Sequence, residues 1–229
     1  MRSVMVCTRQ IHGHFADERA GMARKGNPAI TSRASAAGGG FSRLRTWPFW
    51  RTMILYFCIV SVVGHLIEYP YCWLGMTFFG SVDPTSEVLT NPFKPFFVYG
   101  VGVVLCCVLL EPFRELLLRR FSRPSAALLV FYVVSVFIGM AFELTQGFLQ
   151  NQPVDGVYPL WDVSDYPGNI LGQAWIVNDI FIGALITLIV WVVLPWANGL
   201  VDRLSERTAN RLCAIVVVAT AILTVLTYL

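Results

Sequence analysis

The chain has 229 residues, of which 56% are hydrophobic and only 14% are charged, and its mean hydropathy is +0.63. Soluble domains carry about 25% charged residues, so this chain lacks the polar side chains that would cover a globule in water. That composition excludes a soluble enzyme, a disordered polar chain and a disulfide framework, and it indicates a protein whose main partner is the lipid bilayer. The six cysteines show no metal-ligand spacing and are expected to serve as small apolar residues.

Positive charge is concentrated at the amino terminus. Residues 1–51 contain nine Lys or Arg and two acidic residues, a net charge of +7, whereas the remaining 178 residues carry a net −4. Residues 1–46 lack a sustained apolar period, which predicts a disordered basic arm held against the anionic cytoplasmic leaflet. Nucleic acid is not expected as a partner, because the arm contains no base-reading fold. The remaining residues, 47–229, form the predicted transmembrane helical domain.

Five stretches are long and apolar enough to cross about 30 Å of hydrocarbon as helices of roughly 20 residues. They lie at residues 52–71, 95–118, 125–146, 172–196 and 209–229. The predicted fold class is therefore an all-α, polytopic membrane helix bundle of about five transmembrane helices.

The Lys and Arg residues that flank the apolar cores of successive spans number nine, one, four, none and three; the counts include Arg114, near the end of the second span, and Arg211, near the start of the fifth. Because cytoplasmic segments are enriched in these residues, the alternation predicts a multi-pass protein of the cell membrane with a cytoplasmic amino terminus and an external carboxyl terminus. Both long polar connections, residues 72–94 and 147–171, are then predicted to face away from the cytoplasm.

Polar residues of the predicted spans gather near their outer ends. At a rise of about 1.5 Å per residue, Glu68 lies in the outer half of the first span and Glu143 lies close to the outer end of the third. Small residues share a helix face with each of them, which predicts that both carboxylates point into the bundle rather than into lipid. The predicted ligand- or proton-binding residues of this layer are Glu68, Tyr99, Glu143, Gln146, Asn178 and Asp179.

A polar loop before the fourth span contains Asp162, Asp165 and Asn169. These side chains either contribute to the same binding site or form Asx turns and cap the helix that follows. Glu68 and Glu143 have an alternative of their own, since both are near enough to the interface to extend into the headgroups.

Residues 160–172 read Leu-Trp-Asp-Val-Ser-Asp-Tyr-Pro-Gly-Asn-Ile-Leu-Gly. They resemble the Trp-Asp-Tyr-Ser-Asp…Asn-Ile-x-Gly signature of the putative ABC-transporter type IV family, which consists of CmpB-like membrane proteins. Residues 64–68 resemble the Gly-x-x-x-Glu of that family, and residues 95–102 resemble its Pro-x-Tyr-Gly-x-Gly segment. The resemblance covers residues 55–190, although Gln173 stands where the family prefers Arg, and it implies a transport role.

A second resemblance is to VanZ-like membrane proteins, which have a Glu-x-x-Gln ahead of an Asp…Asp…Asn…Gly loop. The residues that follow this order are Glu143, Gln146, Asp162, Asp165, Asn169 and Gly172. This resemblance implies a cell-envelope role in glycopeptide resistance or lipid modification. A third alternative is a non-transporting membrane subunit or sensor that uses the basic arm as its cytoplasmic contact.

The leading hypothesis is a permease-like membrane component, not an enzyme, that handles a small molecule or a lipid headgroup at the outer layer. Glu68 and Glu143 would bind a proton or a cation, Tyr99 would donate a hydrogen bond, and the polar loop would close over the ligand. No catalytic residue and no cofactor is expected; a separate ATP-binding subunit is a candidate partner, although the sequence contains no identifiable motif for coupling to one. In the envelope-protein alternative the same oxygens bind a divalent cation, for which Mg²⁺ or Ca²⁺ suits them better than zinc.

Overall fold

The computed structural model of the protein describes residues 46–79, 84, 86–154, 158 and 161–229. The predicted basic arm lies outside these residues except for Thr46, so its disorder stays a prediction. Eight α-helices are found in the described part of the chain: α1 (Trp47–Phe79), α2 (Glu87–Thr90), α3 (Phe97–Leu105), α4 (Glu111–Arg120), α5 (Pro124–Gln150), α6 (Ile176–Leu188), α7 (Leu194–Val201) and α8 (Glu206–Tyr228).

Two short π-helical turns join neighbouring helices into continuous runs. The turn π1 (Cys106–Leu110) connects α3 to α4, and π2 (Ile189–Val193) connects α6 to α7. Two-residue strands, β1 (Asn169–Ile170) and β2 (Ala174–Trp175), pair antiparallel just before α6. The all-α class predicted from the sequence is confirmed.

Helical runs occupy all five predicted span positions. Four of them are long and apolar enough to cross a membrane, namely residues 47–78, 124–150, 176–201 and 206–228. The predicted second span, 95–118, corresponds to the run α3–π1–α4, which is not among those four. The chain is thus a multi-pass helical membrane protein. Four of its five helical runs meet the length and hydropathy expected of a membrane span, and the run α3–π1–α4 does not.

Close packing between helices depends on glycines at the contacts. A methyl group on Gly183 of α6 would come within 2.8 Å of the Val136 backbone nitrogen on α5, and one on Gly64 of α1 would enter the Tyr99 ring on α3. Small residues allow such close approach of helix backbones in membranes. The packed pairs are α5 with α6, α1 with α3, and α8 with α1.

The two π-turns have the same cause. Pro112 follows π1 by two residues and Pro195 follows π2 by two residues, and each proline lacks the N–H that an α-helix needs. A proline ring also collides with the carbonyl four residues earlier, which lies inside the π-turn in both cases; the wider turn therefore accommodates it. The turns π1 and π2 contact each other, so both irregular segments lie at one place in the bundle.

The polar segment 161–175 folds back on itself before α6 begins. Leu171 and Gly172 adopt positive φ angles of 56° and 67°, and the backbone N–H of Gln173 donates to the backbone carbonyl of Ile170 at 3.0 Å. A turn with positive φ at both central positions favours glycine, which Gly172 supplies. This turn directs the chain from β1 into β2 and fixes the start of α6 at Ile176.

Candidate functional site

The centre of the site is a pair of carboxylic side chains on α5 and α6, which we call the acid pair: Glu143 and Asp179. Asp179 lies in the first turn of α6 with none of its surface exposed, and Glu143 lies two turns before the end of α5. The two carboxyl groups are close enough to interact with each other. Gly139, one turn before Glu143, packs against Ile182 and allows the helices to approach closely here.

Asn178 connects the acid pair to α1. Its Nδ2 donates to Glu143 Oε1 at 2.6 Å, and its Oδ1 accepts from the Tyr71 hydroxyl at 2.5 Å. The Trp175 backbone, just before α6, also interacts with the Glu143 carboxylate. Three helices, α1, α5 and α6, are therefore joined through one amide side chain.

A second acidic position lies on α1, one helical turn before Tyr71. The Glu68 carboxyl faces the Tyr99 hydroxyl of α3, and the Tyr99 ring packs on Gly64. The spacing of three residues puts Glu68 and Tyr71 on neighbouring parts of the same helix face. The structure thus brings together five of the predicted residues: Glu68, Tyr99, Glu143, Asn178 and Asp179.

Four carboxylate oxygens of this site are buried and accept no hydrogen bond from a protein donor in the described part of the chain: Glu68 Oε2, Glu143 Oε2 and both oxygens of Asp179. None of the ion pairs among the described residues includes these three acids. An unpaired buried carboxylate costs several kcal/mol, so such groups bind a proton or a cation. Chemically, the site can take up positive charge.

The remaining predicted residue of this layer, Gln146, is half-buried on α5. Within the described residues no hydrogen bond joins it to the acid pair. His65, which shares the α1 face of Glu68, is fully buried and stacks on Phe96 at 3.8 Å, and its Nδ1 bonds the Lys94 carbonyl at 2.6 Å. His65 therefore fixes the segment before α3 against α1.

The side chains of the polar loop are held by the loop itself. Asp162 accepts a hydrogen bond from the Ser164 amide at 2.9 Å, and donation from the Ser164 hydroxyl and amide lowers the pKa of the Asp162 carboxyl. Asn169 donates to the carbonyls of Ser164 and Tyr166 and accepts from Gly172, while Asp165 is exposed. Asx-type turns account for Asp162 and Asn169. The structure does not bring these residues to the acid pair, and their ligand role stays a prediction.

An amide pair that the sequence reasoning missed anchors the loop. Asn151 and Gln173 are almost fully buried and bond each other twice, Gln173 Nε2 to the Asn151 carbonyl at 3.0 Å and Asn151 Nδ2 to Gln173 Oε1 at 3.1 Å. Asn151 also donates to the Trp161 carbonyl, and Trp161 Nε1 donates to the Gln173 carbonyl. The amide pair ties the end of α5 to β2 and so positions Trp175 beside Glu143. Only the departure from the family's Arg at position 173 signals it in the sequence.

A second polar group, also missed, lies at the two π-turns; we call it the π-turn cluster (Tyr56, Glu111, Arg114 and Asn198). The Tyr56 hydroxyl donates to Asn198 Oδ1 at 2.8 Å, and Asn198 Nδ2 donates to Glu111 Oε1 at 3.2 Å. Arg114 pairs with Glu111 at 3.9 Å and donates to the Val190 carbonyl, inside π2, at 2.6 Å. The cluster joins α1, α4 and α7, and only the position of Glu111 and Arg114 within an apolar span signals it in the sequence.

Comparison with known proteins gives one family. A sequence model of the family described as putative ABC-transporter type IV, the CmpB-like proteins, matches residues 55–228. The match includes α3, α5, α6, the polar loop and α1 from residue 55 onward, and so covers the whole site. No curated protein and no solved structure matches the chain significantly. Because the family model covers most of the chain, the protein belongs to the putative ABC-transporter type IV family.

Proposed function

We propose that the protein is the membrane-spanning, permease-like component of an ABC-transporter-type system. In this proposal it is not an enzyme, and it handles a small molecule or a lipid headgroup at the polar site around Glu68 and the acid pair. Membership of an ABC-transporter family and the apolar helices support the general class. The observation that carries the proposed site is the set of four buried carboxylate oxygens that have no hydrogen-bond donor among the described residues.

The residues of the site lie on α1, α3, α5 and α6. Hydrogen bonds of individual side chains, such as those of Asn178, connect these helices at the site, and no ion pair among the described residues does. A ligand that supplies N–H groups or positive charge would satisfy the open oxygens. Such a ligand would also alter how Asn178 and Tyr71 connect α1 to the other helices, so binding and helix movement would be linked at one place.

The proposed orientation has the amino terminus in the cytoplasm and the carboxyl terminus outside. The alternation of Lys and Arg between spans supports it. In this orientation Glu68 and Glu143 lie in the outer half of the membrane. The exposed Arg119, Arg120 and Arg123 lie at the cytoplasmic edge.

The proposed partner is a separate ATP-binding subunit, because the sequence contains no glycine-rich phosphate loop followed by Lys-Ser or Lys-Thr. The test is purification of the tagged full chain from its native membranes in mild detergent. We expect an ATP-binding protein to co-purify, and we expect ATP hydrolysis by the complex in liposomes to respond to the state of the site. Glu143→Gln should reduce that hydrolysis. Glu115→Gln, which changes an exposed carboxylate on α4, should leave it unchanged.

Two results would contradict the proposal. One is the reproducible absence of any ATP-binding protein from the purified material. The other is a Glu143→Gln complex that hydrolyses ATP at the same rate as both the wild type and the Glu115→Gln control.

A further inference from the structure

We propose that the acid pair is a binding site for one proton, that Asp179 carries this proton, and that Asp179 donates a hydrogen bond to the Glu143 carboxylate. This inference deepens the proposed function, on which its role in transport rests. The existence of the proton site itself depends only on the geometry of α5 and α6.

Two facing carboxyl groups need a proton between them. Carboxylates are acceptors only, so two ionised groups that interact closely repel each other, whereas a protonated group can donate a hydrogen bond to the other. Asp179 is completely buried, which makes a second unpaired charge at this place especially costly.

The donors around the pair are unequally divided, and this division identifies the member that keeps the charge. Glu143 accepts from Asn178 Nδ2 at 2.6 Å and interacts with the Trp175 backbone. Asp179 has no donor on either oxygen among the described residues. A negative charge is stabilised where N–H groups point at it, so Glu143 is the carboxylate and Asp179 is the acid.

The other titratable groups near the pair do not supply a compensating cation. From α1 the site is faced by Tyr71, and Glu68 and Cys72 lie beside that tyrosine. On α3, Tyr99 faces Glu68. All of these groups are neutral or acidic, and the titratable groups that interact with the pair are the two acids themselves and Tyr71.

A proton fits this site better than a metal ion. Mg²⁺ and Ca²⁺ take about six or more oxygen ligands, and the described residues contain no group of three His, Cys, Asp or Glu that could hold a metal. The carbonyl oxygen of Asn178, whose amide nitrogen bonds Glu143, already accepts from Tyr71.

Proton release gives the site a mechanical consequence. When Asp179 loses its proton to water, two adjacent carboxylates remain where Gly139 and Gly183 hold α5 and α6 in close contact. Repulsion between them favours a wider separation of the two helices, so the proton stabilises the closed packing seen here.

Infrared spectroscopy of the full chain in lipid tests the proton without any substrate or partner. The wild type should show the carbonyl stretch of a protonated carboxylic acid at neutral pH, and selective ¹³C-labelling of aspartate should shift that band. Asp179→Asn should remove the aspartate band, whereas Asp202→Asn, at an exposed position, should retain it. The absence of an aspartate-sensitive band in the wild type at neutral pH would overturn the proposal, and this measurement needs no variant.

The two amide variants provide a second test. Asn at position 179 can donate to Glu143 as the acid does, whereas Glu143→Gln leaves Asp179 as the only carboxylate, without the Asn178 donor. Asp179→Asn should therefore unfold at a higher temperature than Glu143→Gln; the reverse order would overturn the assignment of the proton to Asp179. If Mg²⁺ alone raised the unfolding temperature of the wild type but not that of Asp179→Asn, the site would bind a metal ion and the proton proposal would be overturned. Failure to find an ATP-binding partner would leave both results unaffected.

Discussion

The amide of Asn178 lies between Tyr71 and Glu143, accepting from one and donating to the other over 2.5 and 2.6 Å. Its orientation is therefore fixed by both neighbours, since a flipped amide would place its nitrogen against the Tyr71 hydroxyl and its oxygen against the carboxylate. One side chain thus determines how α1 meets the acid pair.

Replacement of Asn178 by Leu should destabilise the protein in detergent by about 1–2 kcal/mol. Hydrogen bonds between membrane helices average about 0.6 kcal/mol, but those to charged groups reach about 1.5–3 kcal/mol, and Glu143 is the charged member of its pair. Tyr71→Phe removes the other bond of the same amide and should cost less. Tyr69→Phe, two residues away on α1, is the matched control; equal losses for both tyrosine variants in thermal unfolding would refute the importance of the Tyr71 contact.

The contact between α5 and α6 should be intolerant of a single methyl group. A Cβ at Gly183 would meet the Val136 backbone at 2.8 Å from the nitrogen and 2.9 Å from Cα, and backbone atoms cannot move aside as side chains can. Gly183→Ala should therefore cost about 1–3 kcal/mol, as overpacking does. Gly102→Ala and Gly199→Ala are controls, since among the described residues no heavy atom outside the local helix backbone lies within 4 Å of either new methyl group. Similar unfolding temperatures for all three variants would contradict this account.

That Glu68, Glu143 and Asp179 lie near one another in the bundle could be predicted from the sequence, whereas the pairing of Glu143 with Asp179 could not. Counting 1.5 Å per residue from the charged end of each span gives the height of Glu68, Glu143 and Asp179, and apolar length gives the helices. Height does not define rotation about each helix axis. Asp179 interacts with Glu143 rather than with Glu68 because α5 and α6 pack against each other at Gly139 and Gly183, and this packing cannot be read from the sequence of either helix alone.

Residues with two plausible roles were the hardest to assign from the sequence. Tyr71 ends a predicted span and reads as an interface anchor, yet its hydroxyl reaches Asn178 across the bundle. Asp162 belongs to the family's signature, yet its hydrogen bond stays within its own turn. Local sequence fixes such turns because Asx geometry needs only the next two residues, while contacts between helices depend on distant ones.

The π-turn cluster should contribute more to stability than surface charges of the same type. Arg114 is 14% exposed, bonds the Val190 carbonyl at 2.6 Å and pairs with Glu111, whereas Arg119 is 81% exposed and pairs with Glu115. Arg114→Gln should cost about 1.5–3 kcal/mol, the value of a charge-assisted hydrogen bond that is lost in a buried place. Arg119→Gln should cost about 0–1 kcal/mol, as exposed ion pairs do. Thermal unfolding of both variants measures the difference, and a larger loss for Arg119→Gln would contradict the role of the cluster.

The polar loop should become less ordered in acid, and the sign follows from Asp162. Hydrogen bonds from Ser164 lower the pKa of the Asp162 carboxyl in the folded loop, so the loop binds this proton less readily than the unfolded chain does. The stability that the ionised Asp162 gives to the loop is therefore fully present above the ordinary aspartate pKa, and it is lost as the pH falls through the lowered pKa of Asp162 in the folded loop. Ser164→Ala removes the hydroxyl donor and should raise the Asp162 pKa toward its ordinary value, as measured by carboxyl ¹³C NMR. Asp165 offers an internal reference in the same spectra, since its side chain is exposed on the same loop. An Asp162 titration that is unchanged by Ser164→Ala would show that the turn is held by other groups.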